Sequence, residues 1–262
     1  MSDVVLYDCD DRGVATATLN RPEVRNAYNG DLIEGLIAAA GRAAEDPAVR
    51  VLLIRGNGKH FAAGADLKWI RSVAEQSPEA NFAVSSRTAE AVCGLNELAK
   101  PTMALVHGGC FGGAVGIVAA CDVVVASEDA MFAITEVYWG LVPDIITPQL
   151  NDAMGLRQVR RYALSGERFD AAEARRIGLV HEVCPTGGLN EAAAPIVAGL
   201  LRAAPEAVSG TKRTALDCAG ARLDEARLEP LLQSHSLKRQ SDEASEGLAA
   251  FAAKQDPSWV PK

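Results

Sequence analysis

Hydrophobic and polar positions change places along the first half of the chain in short blocks, and these predict strands, glycine turns and helices in succession. Residues 13–19, G-V-A-T-A-T-L, alternate as a strand does and stop at Asn20-Arg21-Pro22. Asp31 with Glu34 three residues later reads as a capping box, and Leu32, Ile33, Leu36, Ile37 and Ala40 fall at helical spacing. Residues 49–55 predict a second, buried strand, closed by Gly56-Asn57-Gly58. Residues 77–81 read as a mobile polar segment, 87–98 as a helix that ends before Pro101, and 122–126 as a strand followed by the short apolar run Met131-Phe132-Ala133.

The stretch M-A-L-V-H-G-G-C-F-G-G-A-V-G-I-V-A-A-C-D, residues 103–122, predicts a buried strand, a glycine turn and the start of a buried helix. Such a turn leaves free backbone N–H groups at the helix start, where the helix dipole favours negative charge. The spacing is not the dinucleotide fingerprint, because Cys110 and Phe111 stand between Gly109 and Gly112. On spacing alone the glycines serve close packing or anion binding equally well. Residues 59–68 repeat the plan, with a small-residue turn at 63–66 and Asp66 placed to cap a helix carrying Trp69 and Ile70. Two such turns side by side would offer two backbone donors to one oxygen, the requirement of an oxyanion hole. Glu136 stands alone in an apolar neighbourhood. It is either a turn-edge carboxylate or, if buried, a proton carrier with a raised pKa.

Beyond residue 147 helices dominate: 155–164, 171–177 behind Asp170, then 189–202, 205–218, 223–239 and 242–254, with one last short strand at 178–183. The composition changes near residue 183 from glycine-punctuated α/β to alanine-rich helix, and the chain is expected to comprise a core, 1–203, and a C-terminal helical region, 204–262. The 262 residues suffice for a substantial core, and the net charge of -8 argues against nucleic acid. The 6 cysteines form no C-x-x-C pair and read as buried thiols, with no metal site; Cys110 is the one placed to be a nucleophile. No apolar run reaches membrane-spanning length and no signal-like segment opens the chain, so a cytoplasmic protein without membrane association is expected.

Taken together these residues resemble the crotonase (enoyl-CoA hydratase/isomerase) superfamily over nearly the whole chain. The resemblance rests on Asn20-Arg21-Pro22 with Asn26-Ala27, on F-A-A-G-A-D-L at 61–67 and on residues 108–122. It continues through Phe132, Thr135-Glu136, Gly140, Pro143, residues 172–180 and Phe251 with Lys254. The wording F-G-G-A-V-G-I-V-A-A-C-D with T-E-V-Y-W-G-L-V-P-D-I-I-T-P is nearest to the methylglutaconyl-CoA and γ-carboxygeranoyl-CoA hydratases. The resemblance implies an α/β spiral of ββα units with a helical C-terminal region that packs into homotrimers or homohexamers. It implies acyl-CoA thioester substrates and no cofactor beyond the coenzyme A that the substrate carries. The thioester oxygen would be held by the N–H groups of Ala65 and Gly113, with Glu136 as acid/base. Ala63, Asp66 and Gly112 would border the substrate, Arg25 and Lys68 would lie near the coenzyme's phosphates, and Phe251 and Lys254 would reach the coenzyme of a neighbouring subunit.

One departure matters for the reaction. The two-glutamate hydratases carry their first acid where this chain has Gly116, which leaves a place without an acid. Three readings follow: hydration of a branched or carboxylated 2-enoyl-CoA, with Arg71 or Lys68 as the cation for a carboxylate; a Δ3–Δ2 enoyl-CoA isomerase using Glu136 alone; or a decarboxylase or hydrolase that keeps the enolate. Hydration is the first expectation. Asp144, in place of a glycine after Pro143, reads as a turn residue. A scaffold or RNA-binding role is disfavoured by Glu136, by both turns and by the acidic charge. The substrate wall is expected among Trp69, Ile70, Val73, Phe82, Val137 and Trp139.

Overall fold

The structure, a computed structural model, describes residues 4–219, 230, 232–234, 237–238 and 241–261. Its main sheet has 6 strands in the order β1-β2-β3-β4-β6-β9. These are β1 Val5–Cys9, β2 Val14–Leu19, β3 Val51–Gly56, β4 Thr102–Val106, β6 Val123–Ser127 and β9 Glu182–Cys184. β1 runs antiparallel to β2, and every later pairing in this sheet is parallel. A second sheet of 3 strands joins β5 Gly109–Phe111, β7 Met131–Ala133 and β8 Phe169–Asp170.

The period-two alternation of the strands divides the core in two. Ala104 and Val106 of β4 join Leu52 and Ile54 of β3 against helix α1 (Gly30–Glu45), α3 (Pro78–Asn96) and α4 (Gly113–Ala119). Met103 and Leu105, with Val51 and Val125, face helix α8 (Leu189–Arg202) through Ala193, Val197 and Leu201. Every residue of β4 is buried, as befits a parallel strand covered on both faces. Further helices are α2 Leu67–Ala74, α5 Thr147–Met154, α6 Leu156–Ser165, α7 Ala171–Arg176, α9 Pro205–Asp217 and α10 Asp242–Ala253.

Several sequence expectations need correction. Helix α1 starts at Gly30 and is capped by Asn29, whose side chain accepts from the Leu32 N–H at 3.1 Å, so Asp31 and Glu34 form no capping box. Glu34 instead pairs with Arg87 of α3, with the Arg87 Nε donating at 2.7 Å. Residues 77–81 are not a polar loop. Ser77 caps α3 by accepting from the Ala80 N–H, and Pro78 occupies the first turn, where a missing N–H costs nothing. The first turns of α3 carry no apolar stripe, which is why the pattern placed its start later. The edge strand β1 was not expected, and the last strand is shorter than 178–183. The helix expected over 223–239 lies largely outside the described residues.

Candidate active site

Strands β3 and β4 are parallel neighbours, so the chain leaves both at the same edge of the sheet and the two turns form there together. The Phe61 N–H donates to the His107 carbonyl at 2.9 Å, Ala62 N–H to Gly109 O at 3.2 Å, and Phe111 N–H to Ala62 O at 3.0 Å. Gly64 sits where the two turns approach closely: its φ is +90°, and a Cβ there would lie 2.9 Å from the Phe111 carbonyl oxygen.

The loop before α1 clamps the first turn from the other side. Asn26 is fully buried, and its amide nitrogen lies 2.8, 2.9 and 3.1 Å from the carbonyl oxygens of Asn57, His60 and Phe61. Tyr28 N–H donates to Gly64 O at 2.8 Å, and Asp66 N–H donates to Tyr28 O at 2.9 Å. Asp66 caps α2 by accepting from the Lys68 and Trp69 N–H groups, and it pairs with Arg21 at 3.2 Å. This spends both carboxylate oxygens. Between these tethered residues, the N–H groups of Ala65 and Gly113 have no acceptor among the described residues, and both residues line one cavity of about 900 Å³.

Glu136 opens a short 3-10 turn after β7 and lies on the same cavity. A Cβ on Gly112, whose φ is +54°, would lie 3.3 Å from the Glu136 Oε1 atom, so the carboxylate rests against the second turn. Its Oε2 is buried without a hydrogen-bond partner. Burial pushes the Glu136 carboxyl above the usual glutamate value, partly offset by the backbone N–H groups of Glu136 and Thr135. The alternative of a solvated turn-edge carboxylate is therefore set aside.

Of the residues anticipated for the site, Ala63, Ala65, Gly112, Gly113 and Glu136 line the cavity, as do Trp69, Ile70, Val73 and Trp139 of the expected wall. Asp66 is a helix cap outside the cavity. Lys68 is exposed and contributes its backbone N–H to that cap, and neither it nor Arg71 lines the cavity. Arg25, Phe251 and Lys254 are exposed and lie off it, while Phe82 points outward at 75% exposure. Cys110 is fully buried, and burial pushes its thiol well above the usual value, which makes it an unsuitable nucleophile. His107 is satisfied by the Gly58 carbonyl at 2.8 Å.

The place at Gly116 is filled. A Cβ there would lie 2.1 Å from Ile146 Cγ2 and 2.4 Å from Ile146 Cβ. Ile146 is delivered by a 3-10 turn that begins at Asp144, and Asp144 also borders the cavity. Among the cavity residues that sequence reasoning missed are Tyr28, hidden in an ordinary apolar position before α1, and Arg168, whose guanidinium lies 5.4 Å from the centre of the Phe111 ring. No helix among the described residues is long and apolar enough to cross a membrane.

Comparison with known proteins agrees with this architecture. An enoyl-CoA hydratase from Shewanella pealeana superposes with a TM-score of 0.94 at 34% identity, over 98% of this chain and 96% of that one. The 2,3-dehydroadipyl-CoA hydratase of Escherichia coli is 32% identical over 247 residues, 94% of each protein. The peroxisomal Δ(3,5)-Δ(2,4)-dienoyl-CoA isomerase of Arabidopsis thaliana is 31% identical over 263 residues, 95% of this chain and 94% of the relative. The enoyl-CoA hydratase/isomerase family model matches residues 10–262. With the expected α/β architecture and helical C-terminal region in place, the chain belongs to the enoyl-CoA hydratase/isomerase family.

Proposed function

We propose that this protein moves protons on an acyl-CoA thioester, with the N–H groups of Ala65 and Gly113 holding the thioester oxygen and Glu136 carrying the proton. The observation that carries the reading is the Glu136 carboxylate, one oxygen of which is buried without a hydrogen-bond partner, set against the same glycine turn that presents the Gly113 N–H. Fixed backbone donors in a dry site stabilise charge as it develops, without reorganisation. The elevated pKa lets Glu136 accept a proton and return it.

The reaction that best suits this set is a double-bond shift in a 3-enoyl-CoA. Glu136 takes a proton from the carbon next to the thioester, and the C–H electrons pass through the conjugated system to the thioester oxygen. The dienolate then collapses, the proton returns at the far carbon, and a 2-enoyl-CoA results. One carboxylate is enough, whereas a second carboxylate, which hydration by a shared water would use, has no room at position 116, where Ile146 stands. Hydration of a 2-enoyl-CoA is the second reading. Asp144 favours it, because it places another carboxylate on the cavity wall. A carboxylated acyl group would meet Arg168.

In this reading Ala63 and Arg25 border the coenzyme. Phe251, 84% exposed, and Lys254 await a neighbouring subunit of a homotrimer or homohexamer. A panel of a 3-enoyl-CoA, crotonyl-CoA and 3-methylglutaconyl-CoA in ¹⁸O-labelled water tests the assignment. A shifted double bond without label supports isomerisation, and label in the product supports hydration. Glu136→Gln is expected to lower turnover by at least about 100-fold with KM within about threefold. Full turnover in that variant would remove Glu136 from the mechanism.

A further inference from the structure

Tyr28 belongs to both turns at once. Its backbone N–H and carbonyl hold Gly64 and Asp66, which fixes Ala65 between them. Its side chain crosses to the other turn: a Cβ on Gly113 would lie 2.3 Å from the Tyr28 hydroxyl oxygen and 2.9 Å from Cζ. The phenol therefore rests on Gly113 itself, the residue whose N–H has no acceptor among the described residues. The ring is held edge-on by Trp69, with centroids 6.2 Å apart and planes at 71°. Tyr28 lines the cavity, and its hydroxyl has no hydrogen-bond partner among the described residues.

We propose that the Tyr28 hydroxyl is a third donor to the thioester oxygen, acting with the N–H groups of Ala65 and Gly113. This rests on the enolate reading above and adds a catalytic residue to it. A phenol O–H donating to a forming oxyanion makes a short, charge-assisted bond that strengthens as negative charge grows, so it favours the transition state over the bound substrate. The proton stays on the phenol. Burial and the neighbouring Glu136 charge both raise the Tyr28 pKa, so the group is a neutral donor throughout the working range and does not compete with Glu136 as the base. Packing against Trp69 and the backbone ties to the first turn fix the donor before the oxygen becomes charged, as such stabilisation requires.

Tyr28→Phe removes one oxygen and leaves the ring contact with Trp69. It is expected to lower kcat by about 10- to 100-fold with KM within about threefold. The decisive readout is independent of turnover: acetoacetyl-CoA bound to the protein, titrated by the near-ultraviolet absorbance of its enolate. The wild-type protein is expected to lower the enolisation pKa of the bound ligand below that of the free one. Tyr28→Phe is expected to raise it again by about one unit, a tenfold smaller enolate fraction at a given pH. An unchanged enolate fraction overturns the proposal whatever happens to kcat, because a loss of turnover alone would mean that Tyr28 acts on Glu136 or on packing. Thermal unfolding checks that Tyr28→Phe is folded, and Tyr28→Leu supplies the same comparison if it is not. If the wild-type protein itself does not favour the bound enolate, the enolate reading fails and this one with it. If the wild type does and Tyr28→Phe does so equally, only the role of Tyr28 fails.

Discussion

Glu136 keeps one carboxylate oxygen away from every donor among the described residues, and its carboxyl is raised above the ordinary value of 4.5 because burial disfavours the charge. A carboxyl with a raised folded pKa adds stability in its protonated form. That contribution is full below the unfolded pKa and is lost as the pH rises through the folded one. Glu136→Gln should therefore unfold at a higher temperature than the wild type above the folded pKa, and the two melting curves should converge at about pH 4 and below. In the proposed mechanism the free base is the working form, so the acid limb of the wild-type kcat/KM profile should lie above 4.5. Asn26 is the structural counterpart: with φ at 54°, it spans three loop carbonyls from a fully buried position. Asn26→Ala strands those acceptors in a dry site and should cost about 2–4 kcal/mol in a urea titration, with turnover per folded molecule also reduced.

At the scale of elements, the contact between α4 and the turn at Asp144–Ile146 decides which chemistry the cavity can hold. Gly116 and Ile146 share one space, so Gly116→Ala overpacks it and is expected to cost about 1–3 kcal/mol. Ile146→Ala made together with Gly116→Ala should recover part of that loss, giving a double mutant more stable than the sum of the two single losses predicts. Strict additivity in that cycle would show that the two residues do not compete. The second element of note is α3. Its cap at Ser77 and Pro78 was written in the sequence as plainly as the cap of α2, but its early turns border the cavity and have no apolar stripe to announce them. Helix turns that face a cavity have no core to pack against and need no apolar stripe. Hydrophobic periodicity therefore finds the buried end, Ala91, Val92 and Leu95, and not the beginning.

Over the whole molecule, Arg50 ties the sheet to the C-terminal segment. Its guanidinium donates to the Trp259 carbonyl at 2.5 Å, Ala203 O at 2.7 Å and Leu201 O at 3.2 Å, and the Trp259 indole N–H donates to Arg202 O at 3.1 Å. Arg50→Met keeps the apolar stem and removes the donors. It should speed backbone hydrogen exchange across residues 241–261 by at least about tenfold and lower Tm by about 2–4 °C, with the sheet's own exchange little changed. Equal protection across that segment in both proteins would show that the tie contributes nothing.

The strands β2 and β3, the two strand–turn–helix units and the caps at Asp66 and Asp170 were legible in the sequence, because each depends on residues only a few positions apart. The pairing of the two turns was legible only as a possibility. Parallel strands β3 and β4 place them at one edge, and no local pattern states which strands are neighbours. The burial of Glu136 was decided the same way. Its neighbours in space, Gly112 and Tyr28, come from segments far from it along the chain. Gly116 shows the difference most directly. Sequence identified a missing acid and implied a gap, whereas tertiary packing brought Ile146 from thirty residues away to fill it. Local propensity and motif order thus determined the elements and the family. Only the close-packed interior, which brings together side chains from distant segments, decided which groups remain free to act.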